Sequence, residues 1–250
     1  MSEPKFYALI IGTEILNGRR KDSHFEFLSK ELAKYGYRLS GSFIIEDTPE
    51  LIVKSIEFIA SLPDSILFSF GGIGSTPDDY TRKSSAEALR DGELTTHKEA
   101  LKIIKEARGK SAYPHAVKMA ELPKDAELLE NPVNKMPAFY LDDRFFFMPG
   151  FPEMSHPMVE KILERILKNR EKKEYRYTLT ALTRESALID IMEKMPEEVE
   201  LSSLPKIYSD GARVTISVAS NSRDLAKKSF EMFIEALEER GIFYSLGEES

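Results

Sequence analysis

One stretch of the sequence, 71–81, combines glycines with acidic side chains. It reads GGIGSTPDDYT, and its chemically informative members are Gly71, Gly72, Gly74, Asp78 and Asp79. Glycines leave backbone amides uncovered, and uncovered amides beside the start of a helix attract anions such as phosphate. Two carboxylates would repel a phosphate unless a divalent cation lay between them. The stretch therefore predicts a phosphate site with a metal ion, Mg²⁺, Mn²⁺ or Co²⁺, held by both aspartates.

A helix cap is the alternative interpretation of the same stretch. Thr76 or Asp79 would then accept hydrogen bonds from the first amides of a helix, with Pro77 at an early helical position. Capping accounts for one or two of these residues but not for three glycines. Ligands of open α/β sheets also bind at the carboxyl ends of strands, which favours the ligand site.

Other common catalytic patterns are missing from the sequence. The four histidines, at positions 24, 97, 115 and 156, do not have the i, i+3 or i+4 spacing of a zinc site. Neither a Gly-x-Ser-x-Gly elbow nor a Gly-x-x-x-x-Gly-Lys-Ser/Thr loop occurs. The remaining candidate ligands are carboxylates, namely Glu14, Asp22, Asp78, Asp79 and Glu153.

The composition is that of an ordinary globular chain. Of its 250 residues, 42% are hydrophobic and 31% are charged, and the length predicts one larger and one smaller domain. No apolar run approaches the ~18 residues of a membrane span, and the start of the chain lacks a signal-peptide pattern, so a cytoplasmic location is expected. The absence of cysteine excludes disulfides and thiolate zinc sites. The net charge of −7 argues against a general nucleic-acid binder.

Strand and helix patterns alternate along the first two thirds of the chain. Short apolar runs predict buried strands at 6–11, 38–45 and 66–70. Amphipathic spacing predicts helices at 22–35, from Pro49 to Pro63, at 81–89 and at 97–108, and a hairpin at 138–148 precedes a helix from Met158 to Lys168. This alternation predicts a mainly parallel sheet with right-handed crossovers.

A polar run, 169–174, predicts a boundary between two domains. It would separate a first domain at 1–168 from a second at 175–250. The second segment reads as strand, helix, two strands, helix and strand, with the first helix at Glu185–Met195. This order is typical of a small α+β domain with one sheet face covered by two helices. It has no glycine-rich loop, so we expect it to be structural or to serve oligomer contacts.

Several motifs resemble those of CinA-like proteins in the molybdopterin-binding (MoCF) superfamily. The stretch 71–81 is similar to the family's GGLGPTPDDLT, and 12–18 is similar to GDELLxG. Further matches follow in order: 22–24 with DTN, 118–123 with KQAxLP, 131–139 with NPVGTAPGF and 148–153 with LPGVPxE. The resemblance covers 5–168, and 175–246 resembles the KH-like domain that follows in these proteins. The family's C-terminal amidohydrolase domain, which deamidates nicotinamide mononucleotide, is expected to be absent.

The resemblance implies a three-layer αβα domain that holds a pterin or nucleotide phosphate on the GGxG loop. It also implies a divalent metal at the acid of the D-x-T element, here Asp79. CinA-type members are linked to metal-dependent cleavage of ADP-ribose and related nucleotides, whereas the molybdenum-cofactor branch adenylates or metallates molybdopterin. The implied catalytic residues are Asp79, Asp78 and Glu14. The implied phosphate- or nucleotide-binding residues are Gly12, Gly71, Gly72, Gly74, Ser75, Thr76, Thr81, Asn131, Lys135, Pro149 and Gly150.

Three departures from the family pattern leave the function open. Thr13 replaces the Asp of GDEL, His24 replaces the Asn of DTN, and 134–136 replaces Gly-Thr-Ala. One hypothesis is a metal-dependent nucleotide pyrophosphatase, and a second is a molybdopterin adenylyltransferase. The third, favoured by Thr13 and His24, is a ligand-binding or assembly module without catalysis. The expected ligand is a small nucleotide or pterin phosphate, and we expect a homo-oligomer, either a dimer or a trimer.

Overall fold

The computed structural model describes residues 3–168 and 173–247. The chain divides into two compact units, Met1–Glu171 and Lys172–Ser250. Most of the predicted linker at 169–174 lies outside the described residues. Across the described ranges, no helix combines the length and the apolar character that crossing a membrane requires.

The first unit alternates strands and helices along the chain. Its elements are β1 (Lys5–Ile11), α1 (Thr13–Leu16), α2 (His24–Lys34), β2 (Leu39–Ile45), α3 (Pro49–Ser61), β3 (Ser65–Phe70), α4 (Thr81–Leu89), β4 (Leu94–Thr96), α5 (Lys98–Arg108), β5 (Glu121–Pro123), β6 (Glu127–Leu129), β7 (Ala138–Leu141), β8 (Phe145–Met148) and α6 (Pro152–Leu167). Short 3-10 turns at Gly109–Ala112 and Ala116–Ala120 follow α5.

The main sheet has the strand order β2-β1-β3-β8-β7-β6. Strands β2, β1, β3 and β8 are parallel, whereas β7 runs antiparallel to both of its neighbours. The mainly parallel sheet confirms the α/β prediction. The short strands β4 and β5 form a separate antiparallel pair, and this pair was not predicted from the sequence.

Helices cover both faces of this sheet. Six successive residues of β1, from Phe6 to Ile11, are buried, and successive side chains of a strand point to opposite faces. Both faces are therefore shielded from water, which is why the strand is a continuous apolar run. Helix α2 packs with α6, and α3 packs with α4. The arrangement is the expected three-layer one.

One local expectation for the first unit was wrong, because helix α6 begins at Pro152 and not at Met158. The short helix α1 in the segment 12–18 was not predicted. Proline is well tolerated at the first position of a helix, where its missing N–H has no intrahelical partner to lose. Gly150 and the prolines around it indicate a loop locally, but the helix begins directly after Phe151.

The second unit is a small α+β domain. Its elements are β9 (Tyr175–Ala181), a 3-10 turn (Glu185–Ala187), α7 (Ile189–Met192), β10 (Glu200–Tyr208), β11 (Gly211–Ser220), α8 (Arg223–Glu239) and β12 (Tyr244–Leu246). The antiparallel sheet has the order β10-β11-β9-β12. Leu179 and Ile216 from the sheet and Phe233 from α8 are fully buried in one core. The element order is the predicted one, but the single helix expected at Glu185–Met195 is a 3-10 turn followed by a short helix.

The Arg144 side chain joins the amino ends of β3 and β8 to the end of α3. Its guanidinium donates to the carbonyls of Ala60, Leu62 and Ser65 and to the Ser65 hydroxyl, at 2.6–3.0 Å. We expect Arg144→Ala to lower the free energy of unfolding by about 2 kcal/mol, because it leaves partly buried acceptors unpaired. Urea denaturation measures the loss. Lys30→Ala, which removes an exposed ion pair, is the control and should cost no more than about 0.5 kcal/mol; an equal loss in both variants would contradict the assigned role.

Candidate functional site

The loops after four parallel strands meet at one edge of the main sheet. The Gly12 amide donates to the Ile45 carbonyl at 3.0 Å, and the Gly71 amide donates to the Met148 carbonyl at 2.9 Å. Each glycine loop is thus joined to the end of a neighbouring strand. The chain passes from β1 to β2 on one side and then to β3 on the other, so the strand order reverses between β1 and β3, the position at which open α/β sheets generally bind ligands.

Three glycines allow these loops to touch backbone to backbone. Gly71 and Gly72 have φ of 110° and 66°, a region that side chains other than glycine rarely adopt. A Cβ on Gly71 would overlap the Ile11 carbonyl oxygen, and one on Gly72 would overlap the Thr81 hydroxyl. A Cβ on Gly150 would lie 3.3 Å from the Gly71 Cα. Gly71 and Gly72 are therefore required by both conformation and space, whereas Gly150 is favoured by space alone.

Thr81 holds the glycine loop in place. It is fully buried at the start of α4, where its amide and its hydroxyl donate to the Gly72 and Gly71 carbonyls, each at 2.9 Å. Its hydroxyl is therefore engaged by the loop itself. Thr81, predicted to bind phosphate, positions the loop through these contacts.

The two aspartates differ in their surroundings. Asp79 Oδ2 accepts from the amide and the hydroxyl of Thr76, at 2.7 and 2.5 Å. The same carboxylate lies against Gly74, and the Arg82 guanidinium donates to the Gly74 carbonyl at 2.8 Å. Asp78 is exposed. Asp79 therefore closes the loop, and Asp78 faces solvent.

The helix-cap alternative does not describe this loop. Helix α4 begins at Thr81, its N-cap residue is Tyr80, and no side chain caps it. Asp79 accepts from Thr76 and not from the first helical amides, and Pro77 lies before the helix. The turn 76–79 is a local structure of its own.

Asp78 and Asp79 alone are too few carboxylates to hold a metal without a ligand. Within 3–168 and 173–247, no group of three or more histidine, aspartate or glutamate side chains could hold a metal. Mg²⁺ does not require such a group, since proteins bind it through one or two carboxylates and complete its shell with substrate phosphates and water. Neighbouring carboxylates beside a glycine loop meet that requirement.

Two charged residues at this edge were missed in the sequence. The Arg20 guanidinium donates to the Gly150 carbonyl at 2.9 Å and lies 3.7 Å from the Glu14 carboxylate. Asp47, just after β2, accepts from the amide and hydroxyl of Thr13, at 2.7 and 3.0 Å. An aspartate at position 13 would place two carboxylates together, whereas threonine donates to Asp47. Asp47 could have been found in the sequence because it directly follows a predicted parallel strand. No sequence feature pointed to Arg20.

The predicted residues at 131–135 form a tight turn. Asn131 is fully buried, its side-chain oxygen accepts from the Val133 amide at 3.0 Å, and its carbonyl accepts from the Lys135 amide. The Asn131 side-chain nitrogen has no hydrogen-bond partner among the described residues. Asn134 joins the turn to Met154 in the first turn of α6. The contacts of Asn131 hold the turn and do not reach the glycine loops.

His24 packs beneath the same edge. It is 3% exposed, stacks on Phe70 with ring centroids 4.3 Å apart, and has Nε2 3.4 Å from the Gly150 carbonyl. Burial lowers the pKa of His24 to about 4; Asp22 raises it, whereas His156 and Arg20 lower it further. Neutral His24 therefore supports the Gly150 loop from below.

We expect stability to decrease with acidification because of His24. Its pKa in the folded chain, about 4, lies below the ordinary 6.5, so the unfolded chain binds this proton more tightly. The stabilisation is complete above about pH 6.5 and is lost as the pH falls toward 4. Urea unfolding across this range measures the slope, which should flatten in His24→Asn and persist in His115→Asn, a change at an exposed histidine. A slope unchanged in His24→Asn would contradict the assignment. Burial also lowers the pKa of His156, so part of the slope should remain.

Comparison with known proteins places the chain in a family. Residues 7–169 match a family model described as a probable molybdopterin binding domain. The chain belongs to this molybdopterin-binding family. A CinA-like protein of Geotalea uraniireducens is 32% identical over 181 residues, which is 70% of this chain and 43% of that protein. A CinA-like protein of Fusobacterium nucleatum subsp. nucleatum is 29% identical over 175 residues, with the same 70% and 43% coverage. The chain thus spans less than half the length of these two relatives.

A solved structure shares the fold of this molybdopterin-binding unit. CinA from Thermoplasma acidophilum, described as a protein of unknown function, superposes with a TM-score of 0.56 at 27% identity. The match covers 66% of this chain and 98% of that one. A protein of Pyrobaculum arsenaticum is 28% identical along 94% of this chain and 95% of its own length. The CinA-like resemblance inferred from the motifs is confirmed.

Proposed function

We propose that this chain binds the phosphate of a nucleotide or a pterin on the glycine loop beside the ends of β1 and β3, and that it cleaves nucleotide pyrophosphates with a divalent metal at Asp78 and Asp79. The supporting observation is the close approach of the Gly71 backbone to the Ile11 and Gly150 backbones at one sheet edge. The Gly71 amide donates to the Met148 carbonyl, whereas the amides of 72–75 donate to no protein group among the described residues, which is what anion binding requires.

The residues around the loop have distinct tasks in this proposal. The amides of 72–75 bind phosphate oxygens, and Arg20 supplies positive charge between the Gly12 and Gly150 loops. Arg82 and Thr81 hold the loop in its conformation. A bound divalent ion would neutralise phosphoryl oxygens and lower the pKa of a water molecule.

Molybdopterin is the second candidate ligand. The family model is described as a probable molybdopterin binding domain, and a pterin phosphate would use the same glycine loop. A role in binding without catalysis is favoured by a different observation, the engagement of Asp79 by Thr76 within the loop.

Calorimetric titration tests the proposal. The full chain is titrated with ADP-ribose, AMP and a pterin phosphate, each with and without Mg²⁺, Mn²⁺ or Co²⁺, and product formation is followed by chromatography. We expect saturable binding of at least one compound and metal-dependent release of AMP from ADP-ribose. Binding without turnover would favour the non-catalytic role, tight binding of the pterin alone would favour molybdopterin, and binding of none would overturn the proposal.

A further inference from the structure

Phe151 is an exposed aromatic residue directly beside the glycine loops. It follows Gly150, and 56% of its surface is open to solvent. Gly150 in turn lies against Gly71. A large apolar ring in water next to an anion-binding loop is unfavourable for the empty protein, because its burial elsewhere would stabilise the fold. Such a ring is suited to contact a ligand.

The backbone of Phe151 is held rigidly. Its carbonyl oxygen accepts from the Met154 amide, the Ser155 amide and the Ser155 hydroxyl, at 3.0, 3.0 and 3.1 Å. Pro152 restricts the chain further at the first position of α6. A side chain with two rotatable bonds on such a backbone has little conformational freedom to lose on binding.

Arg20 partly covers the Phe151 ring and links it to the site. The guanidinium carbon lies 5.6 Å from the ring centroid, a cation–π distance. The same guanidinium donates to the Gly150 carbonyl and lies near Glu14 of the Gly12 loop. The ring and the positive charge thus stand side by side next to the Gly150 loop.

We infer that Phe151 is the stacking platform for the planar heterocycle of the ligand, while Arg20 and the glycine loop take its phosphate. The inference rests on the proposed function and adds to it the requirement for a planar ring. Aromatic side chains stack on any purine or pterin face, and each stacked base typically changes affinity by about tenfold or more. The site therefore discriminates between a nucleotide and a bare sugar phosphate.

The chain contains no tryptophan, so a single tryptophan can report on this contact. Phe151→Trp keeps the platform and introduces the only indole, whereas Phe151→Leu removes the ring. Phe58 is a matched control, because it is 52% exposed and lies in the last turns of α3, which run toward the opposite sheet edge. The probes are AMP and ribose 5-phosphate, which differ by the adenine alone. If the calorimetric titration shows that only the pterin phosphate binds, the pterin phosphate replaces AMP as the ring-bearing probe.

We expect AMP to quench the emission of Phe151→Trp and ribose 5-phosphate to leave it unchanged. Phe58→Trp should respond to neither probe. Phe151→Leu should bind AMP about tenfold more weakly, with unchanged affinity for ribose 5-phosphate and an unchanged melting temperature. Equal AMP affinity in wild type and Phe151→Leu would overturn this inference but not the proposed function. A wild type that binds no ring-bearing probe would overturn the proposed function and this inference with it.

Discussion

Gly71→Ala is expected to lower the free energy of unfolding by about 4 kcal/mol and to abolish ligand binding. A residue with a side chain at a φ of 110° costs about 1–3 kcal/mol in backbone strain. The added methyl group would also overlap the Ile11 carbonyl oxygen at the end of β1. Since β1 is bonded to a strand on each side, that oxygen cannot move without disturbing the sheet, and overpacking adds about 1–3 kcal/mol.

Gly92→Ala is a control that separates backbone strain from steric overlap of the added methyl group. Gly92 has a φ of 81°, but a Cβ there would meet nothing within 4 Å. We expect this control to lose only about 1 kcal/mol and to keep its ligand affinity. Urea denaturation and calorimetric titration of both variants measure the difference. Similar losses in the two would show that the contact between Gly71 and β1 does not matter to the site.

Asp79→Asn is expected to reduce metal-dependent turnover roughly a hundredfold or more while leaving stability nearly unchanged. A metal ion stabilises developing phosphate charge by several kcal/mol, and each ~1.4 kcal/mol corresponds to a factor of ten. The Asn side-chain oxygen can still accept from the amide and hydroxyl of Thr76, so the turn should persist. A purely structural role predicts that both turnover and Mg²⁺ affinity survive the change.

The neighbouring Asp78 requires a second variant. It is exposed and could take over the ion when Asp79 loses its charge. In Asp78→Asn/Asp79→Asn, we expect neither Mg²⁺-dependent nucleotide binding in the calorimeter nor turnover. Retention of both in the double variant would remove the central residues of the catalytic proposal.

The glycine stretch shows how much of the site local sequence could predict. Three glycines after an apolar run correctly indicated a sharp turn at the end of a parallel strand, and Thr81–Leu89 was predicted at its observed bounds. Glycine spacing and apolar periodicity act over a few residues, and the chain displays them without help from distant segments. The α/β alternation and the α+β order of the second unit were predictable for the same reason.

Long-range contacts at the site could not be predicted in this way. Arg20 reaches Gly150 across 130 positions, and Thr13 pairs with Asp47 across 34. Which loops become neighbours depends on the order of the strands within the sheet. No local sequence pattern near Arg20 or Asp47 encodes that strand order. The exposure of Phe151 likewise follows from the position at which α6 begins. That position could not be predicted, because the prolines around Phe151 indicate a loop.

The sequence alone therefore specified the strand-and-helix alternation, the glycine turn, its paired aspartates and the family, because each of these is encoded within a short segment. Assembly of the sheet determined which distant residues contact one another at the site. It brought the Ile11, Gly71 and Gly150 backbones together and placed Arg20 beside Phe151. These contacts arise from packing between strand ends that are distant in the chain, and packing is a property of the folded molecule as a whole.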